Sequence, residues 1–156
     1  MRYAALIILL IAGCAGESSP TDPDGLVAYT DVYRSQTSGV MNRRAEVISR
    51  EARWVEVWNE IVANQSPRPA MPAVNFDEKI LVMASLGETA NSCKLIDLQH
   101  VERKSGALII SVVESAPAPP CTCPPIVVQP VHVIAVPRLA TDATFNWSMK
   151  TLPCGS

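Results

Sequence analysis

The side chains of this 156-residue chain that could do chemistry are five cysteines and two histidines. Four cysteines, Cys93, Cys121, Cys123 and Cys154, lie in its second half. As thiolates beside His132 they could hold Zn or Cu(I). Cys121-Thr122-Cys123, however, has one intervening residue where structural zinc sites use about two to four. In an exported chain, which the N-terminus argues for below, four cysteines read instead as two disulfides. A Cys121–Cys123 link would close a strained ring. That leaves two pairings open: Cys93 with either loop cysteine, and Cys154 with the other. His100 and His132 sit among apolar neighbours and read as ordinary sheet residues, one or both facing solvent. A hydrolase needs a nucleophile, a base and an orienting group. No Gly-x-Ser-x-Gly elbow is present, so no enzyme activity is expected. Asp77, Glu78, Glu88, Glu102 and Glu114 have no paired spacing and read as solvated strand ends. Arg43, Arg44, Arg50 and Arg53 could face anionic headgroups, but such a cluster is more often a solvated helix start. No phosphate-binding glycine loop or dinucleotide fingerprint occurs, and no cofactor or metal is expected.

The fifth cysteine closes a different pattern. Arg2 and the free amine precede an uncharged apolar run from Ala4 to Ala12, too short for the ~20 residues of a membrane-spanning helix. Small Ala12 and Gly13 come just before Cys14. The Leu10-Ile11-Ala12-Gly13-Cys14 ending resembles a bacterial lipobox. The resemblance implies a signal peptide over residues 1–13, diacylglycerol on the Cys14 thiol, and acylation of the new amine, as with palmitate. Ala15 rather than Asp follows the cysteine. By similarity to Gram-negative lipoproteins, that implies sorting to an outer membrane, facing the periplasm or the cell surface, where the host has one.

Residues 14–156 are enough for one domain with a real core. A net charge of -2 argues against a nucleic-acid binder and is too mild for an acidic disordered tail. Residues 14–25 read as a lipidated tether of Pro, Ser, Asp and Gly, and 26–156 as a single domain. Strands are expected over 26–34, 45–48, 79–86, 95–101, 108–113, 131–136 and 143–149. Lys104-Ser105-Gly106 would turn the hairpin between the fourth and fifth of these. A helix should run from about Arg50 to Ala63, capped by Ser49. Trp54, Val55, Trp58, Ile61 and Val62 would form its apolar stripe, with Trp54 and Trp58 in the core. One amphipathic helix followed by strands predicts an α+β fold, the helix covering one face of a mainly antiparallel sheet.

From about Trp54 to Cys154 the chain resembles the protease complex subunit PrcB family, in its C-terminal domain. The residues that carry this are Trp54 and Trp58, Pro72-Ala73-Val74-Asn75-Phe76-Asp77, Leu86-Gly87-Glu88, Val112-Val113-Glu114 before a proline-rich loop, and Gln129-Pro130-Val131 through Val136-Pro137-Arg138. Ser92-Cys93-Lys94 stands where that family often has Gly-Gly-Tyr. The resemblance places Cys121 at the family's loop cysteine, tied to the C-terminal end. It therefore implies the pairs Cys121–Cys154 and Cys93–Cys123. It also implies a non-catalytic accessory subunit of a surface or periplasmic protease complex. The expected function is thus a lipid-anchored, exported domain that binds another protein. The alternatives are a stand-alone inhibitor or ligand-binding module and, more weakly, a thiolate metal or redox protein.

Overall fold

The computed structural model describes residues 24–154. Cys14, the signal peptide and most of the tether lie outside the described residues. The elements in chain order are β1 (Gly25–Val27), β2 (Thr30–Ser35), β3 (Arg43–Ile48), α1 (Glu51–Ile61), β4 (Lys79–Leu86), β5 (Leu95–Lys104), β6 (Ala107–Pro117), β7 (Val131–Pro137) and β8 (Ala143–Leu152). The domain is mostly sheet with one short helix, an arrangement consistent with the α+β class.

Lys79-Ile-Leu-Val-Met-Ala-Ser-Leu86 shows no apolar–polar alternation because both of its faces are covered. It lies in a central sheet of order β2-β7-β4-β3. Leu81 and Met83, with Val131, Val133 and Ala135 of β7, pack on the helix residues Trp54, Val57, Trp58 and Ile61. Ile80, Val82 and Ala84, with Ile134 and Val136, face the other way. They meet Ile96, Leu98, Val101, Leu108, Ile110 and Val112 of an outer sheet of order β1-β5-β6-β8. Residues of one strand that alternate between two cores reflect the two-residue period of the pleat.

The pairing is mainly antiparallel, as expected, and the architecture departs from the sequence reading in its details. The single sheet is two sheets. The strand expected over 26–34 breaks at residues 28–29, so β1 joins the outer sheet and β2 the central one. β6 and β8 run parallel, while every other strand pairing is antiparallel. The helix is capped by Arg50 in extended conformation with no side-chain cap bond, not by Ser49, and it ends at Ile61. Its stripe uses Val57 in place of Val55, which is 39% exposed. Trp54 and Trp58 are buried, 5.3 Å apart between ring centroids, and the Trp54 Nε1–H donates to the Pro72 carbonyl at 3.1 Å. Where the helix ends, the Gly39 N–H donates to the Ile61 carbonyl at 3.0 Å. A Cβ at residue 39 would lie 2.3 Å from the Glu60 carbonyl oxygen, so this close approach requires glycine.

Candidate functional site

One end of the sandwich gathers both disulfides and the ion pairs of Glu114. Parallel pairing sets Pro117 of β6 against Leu152 of β8. The chain that leaves each strand therefore starts side by side. Cys121 and Cys154, a few residues further along, bond across with Cα atoms 5.4 Å apart. The loop then turns back along residues 89–93. The Ser92 N–H donates to the Pro124 carbonyl, and Thr89 and Val128 exchange backbone hydrogen bonds at 2.8 and 3.1 Å. That approach brings Cys93 to Cys123, Cα to Cα 5.7 Å. All four cysteines are oxidised, so none is a thiolate that could ligate a metal. Among the described residues, no group of three or more His, Cys, Asp or Glu is placed to hold one.

The stapled loop exposes two neighbouring aliphatic side chains, Ile126 at 58% and Val127 at 53%, while Val128 is buried beneath them. Pro-Pro before an aliphatic pair, directly after Cys121-Thr122-Cys123, was the available sequence signal for this feature. Sequence reasoning did not single it out.

Beside the loop, Glu114 is 3% exposed. It lies on the inner row of β6 with Leu108, Ile110 and Val112. Its carboxylate accepts from Arg43 Nη1 at 2.6 Å and Lys94 Nζ at 2.7 Å. The Arg43 guanidinium also stacks 4.1 Å over the ring of Trp147. Burial works to raise the Glu114 carboxyl pKa, but the Lys94 and Arg43 hydrogen bonds outweigh it and hold the group below the usual carboxylate range. Glu114 is therefore not a solvated strand end. Nor do the arginines form an open basic patch. Arg43 is bound to Glu114, Arg44 to Glu60 and Glu46, and Arg53 to Glu46 and Glu56. Alternation explains the division. Arg44 and Glu46 share the helix-facing side of β3 with Ile48, and Arg43 points to the outer sheet with Ala45 and Val47.

The two histidines separate. His100 is exposed at a bulge in β5, with φ 44°. His132 is fully buried and networked, contrary to a plain sheet residue. β1 pairs β5 only from Val101 to Arg103, so the Leu98 N–H has no strand partner on that side. It donates to His132 Nδ1 at 2.8 Å, leaving the imidazole proton on Nε2 to be donated to Asp31 Oδ1 at 2.9 Å. Arg34 Nη2 lies 3.1 Å from Nε2 and donates to Asp97 Oδ1 at 2.7 Å. Burial lowers the His132 pKa, and the nearby Arg34 charge adds to this. The hydrogen bond to Asp31 opposes it, as do the charges of Asp31 and of Asp97, whose Oδ1 lies 3.2 Å from Nδ1. The net shift is downward, favouring the neutral ring. Both ring nitrogens are engaged, Nδ1 by the Leu98 N–H and Nε2 by Asp31, so His132 links the two sheets.

At the opposite end of β5, Asp24 Oδ1 accepts from the Ser105 N–H at 3.0 Å in the hairpin turn. The described chain thus begins one strand length, about 30 Å, from the disulfides. No helix among the described residues is long and apolar enough to cross a membrane. No protein-family model, curated protein or solved structure matches this chain.

Proposed function

We propose that this chain is a lipid-anchored, non-catalytic envelope protein whose domain binds another protein through its stapled end. The observation that carries the reading is the adjacent exposed pair Ile126 and Val127, on a loop held by two disulfides and a backbone bridge. Rigid exposed aliphatic side chains lose little entropy on docking, and apolar residues held in place are what protein interfaces bury at their centres. An N-terminal lipid supports the same orientation. It would hang the domain by the Asp24 end and turn the stapled loop away from the bilayer. The resemblance to the PrcB family makes a protease the partner we propose, with this chain as its accessory subunit.

Two measurements test the reading. The intact mass of the membrane-bound protein should correspond to a chain that starts at acylated Cys14. An unmodified N-terminus would remove the anchor. Affinity purification of the native lipoprotein from envelope extract should retain a protease, and Ile126→Asp/Val127→Asp should release it without changing the melting temperature. Retention unaffected by that pair would place the contact elsewhere. A second reading, a small ligand-binding module, draws on the cleft beside both disulfides lined by Leu95, Pro117, Thr122 and Leu152.

A further inference from the structure

Each sheet has two edges, and three of the four are protected. β1 is three residues long. β2 carries Asp31 and Arg34 and a register irregularity between Asp31 and Tyr33. β3 carries Arg43, Arg44 and Glu46 within six residues. Short edges, bulges and charges are the devices by which sheets avoid further strands. β8 is the least protected of the four, neither short nor bulged. It runs ten residues as Ala-Thr-Phe-Asn-Trp-Ser-Met-Lys-Thr-Leu, without proline, glycine or register break, and has one charged side chain. β6 pairs with one side of it only, and no further strand among the described residues pairs with the other. Its inner row is apolar from Ala143 to Met149. Phe145 and Trp147 pack against the core between the sheets, but Met149, next in the row, is 76% exposed.

We propose that β8 pairs antiparallel with β8 of a second copy about a two-fold axis at Ser148, joining the two outer sheets into one. The strand is self-complementary in this register. A two-fold axis normal to a sheet pairs residues of like face, here positions whose numbers sum to twice 148. Trp147 then faces Met149, which covers the exposed thioether with the partner's indole, a favourable sulfur–aromatic contact. Asn146 faces Lys150 on the outer face, so the only charge of the strand meets an amide acceptor and not its own copy. Phe145 faces Thr151. The second copy is the occupant because the exposed Met149 and the lone charge of Lys150 both find suitable partners, Trp147 and Asn146, in the same strand. A foreign strand would have to supply that match separately.

Asn146 is exposed, so the outer-face pair can be changed without touching the core. The full lipoprotein is purified in detergent and studied by sedimentation equilibrium with the detergent density-matched. The wild type should show a monomer–dimer equilibrium. Asn146→Asp, which makes two cross-copy ion pairs with Lys150, should tighten it by roughly three- to ten-fold. Asn146→Lys, which sets like charges opposite one another, should weaken it by a similar factor. Hydrogen exchange on the wild type gives a reading that needs no variant: amides of β8 should gain protection as protein concentration rises. A monomer up to about 100 µM, well above the range of specific interfaces, would overturn the proposal. So would a dimer that responds equally to both substitutions or to neither, or a β8 whose exchange is independent of concentration.

Discussion

His132 and Glu114 both lie between the two sheets, on rows otherwise filled by aliphatic side chains. Each links a strand of the central sheet to one of the outer sheet, His132 to the backbone of β5 and Glu114 to Arg43 of β3. They do so in opposite charge states. His132 must accept an N–H that has no strand partner, and only the neutral imidazole has a lone pair to offer. Glu114 faces two cations, and only the ionised carboxylate can satisfy both. The comparison teaches that burial alone does not decide whether a polar group is charged. The group it must bond decides. The two sites also differ in support. The Glu114 site is flanked by a disulfide next to Lys94, and the His132 site rests on Asp31, exposed at the sheet edge.

The largest effect should come from stripping Glu114 of both partners. Arg43→Ala with Lys94→Ala leaves a buried carboxylate unpaired and should cost ~3–5 kcal/mol in denaturant unfolding. Glu114→Ala should cost clearly less, because both cations are partly exposed and can turn to water. Equal costs would mean that the clasp contributes nothing specific. Next, Cys93→Ser with Cys123→Ser opens a bridge spanning 30 residues of sequence and should lose roughly 2–4 kcal/mol. Hydrogen exchange should then rise around Lys94 and Glu114 but not at Leu98. Faster exchange at Leu98 would erase the distinction between the two sites.

His132→Leu should cost ~1–3 kcal/mol, the penalty of leaving the buried Leu98 N–H without an acceptor. Its pH dependence sharpens the comparison. The folded pKa of His132 lies below the ordinary 6.5, so the unfolded chain takes up a proton that the folded one refuses. Stability should therefore be full above about pH 6.5 and fall as pH drops from there toward the folded value. His132→Leu should remove that fall. Glu114, Asp97 and Glu60 have lowered carboxyl pKa values, so their contribution is full above the ordinary carboxylate value and lost as pH falls through the folded one. Urea titrations at stepped pH should show two separate declines, and a single acid transition in the wild type would refute the assignment. The smallest effect belongs to Asp31→Asn, ~1 kcal/mol or less, since Asp31 is largely exposed and water can replace its bond to Nε2.

Much of the local structure was legible. Val, Ile and Leu in short runs marked β4, β5, β6 and β7 within a few residues, Phe145, Trp147 and Met149 at alternate positions lie in the strand expected over 143–149, and the Trp54/Trp58 spacing marked a helix whose indoles are core. Ser49 was misleading because capping is a preference that the surrounding contacts can override. The Ser49 carbonyl is instead held by Arg138 at 3.0 Å. Val55 was misread because an eleven-residue helix on a sheet buries a narrow stripe. The candidate site was only half visible. The cysteine count implied two bridges, and residue spacing alone left two pairings open.

By itself, then, the sequence determined the properties that are local or additive: periodicity, turn chemistry, cysteine parity and the apolar run before Cys14. The tertiary structure alone decided those that depend on which distant segments meet. It divided the strands between two sheets, because the pleat of β4 and β7 is apolar on both faces and needs two partners. It ran β6 and β8 parallel, which sets the starts of the two following segments side by side and so brings Cys121 to Cys154. It buried Glu114 and His132, because a polar residue on an inner row stays polar in sequence, and only the arrival of Arg43, Lys94 and the Leu98 N–H from other strands makes its burial affordable.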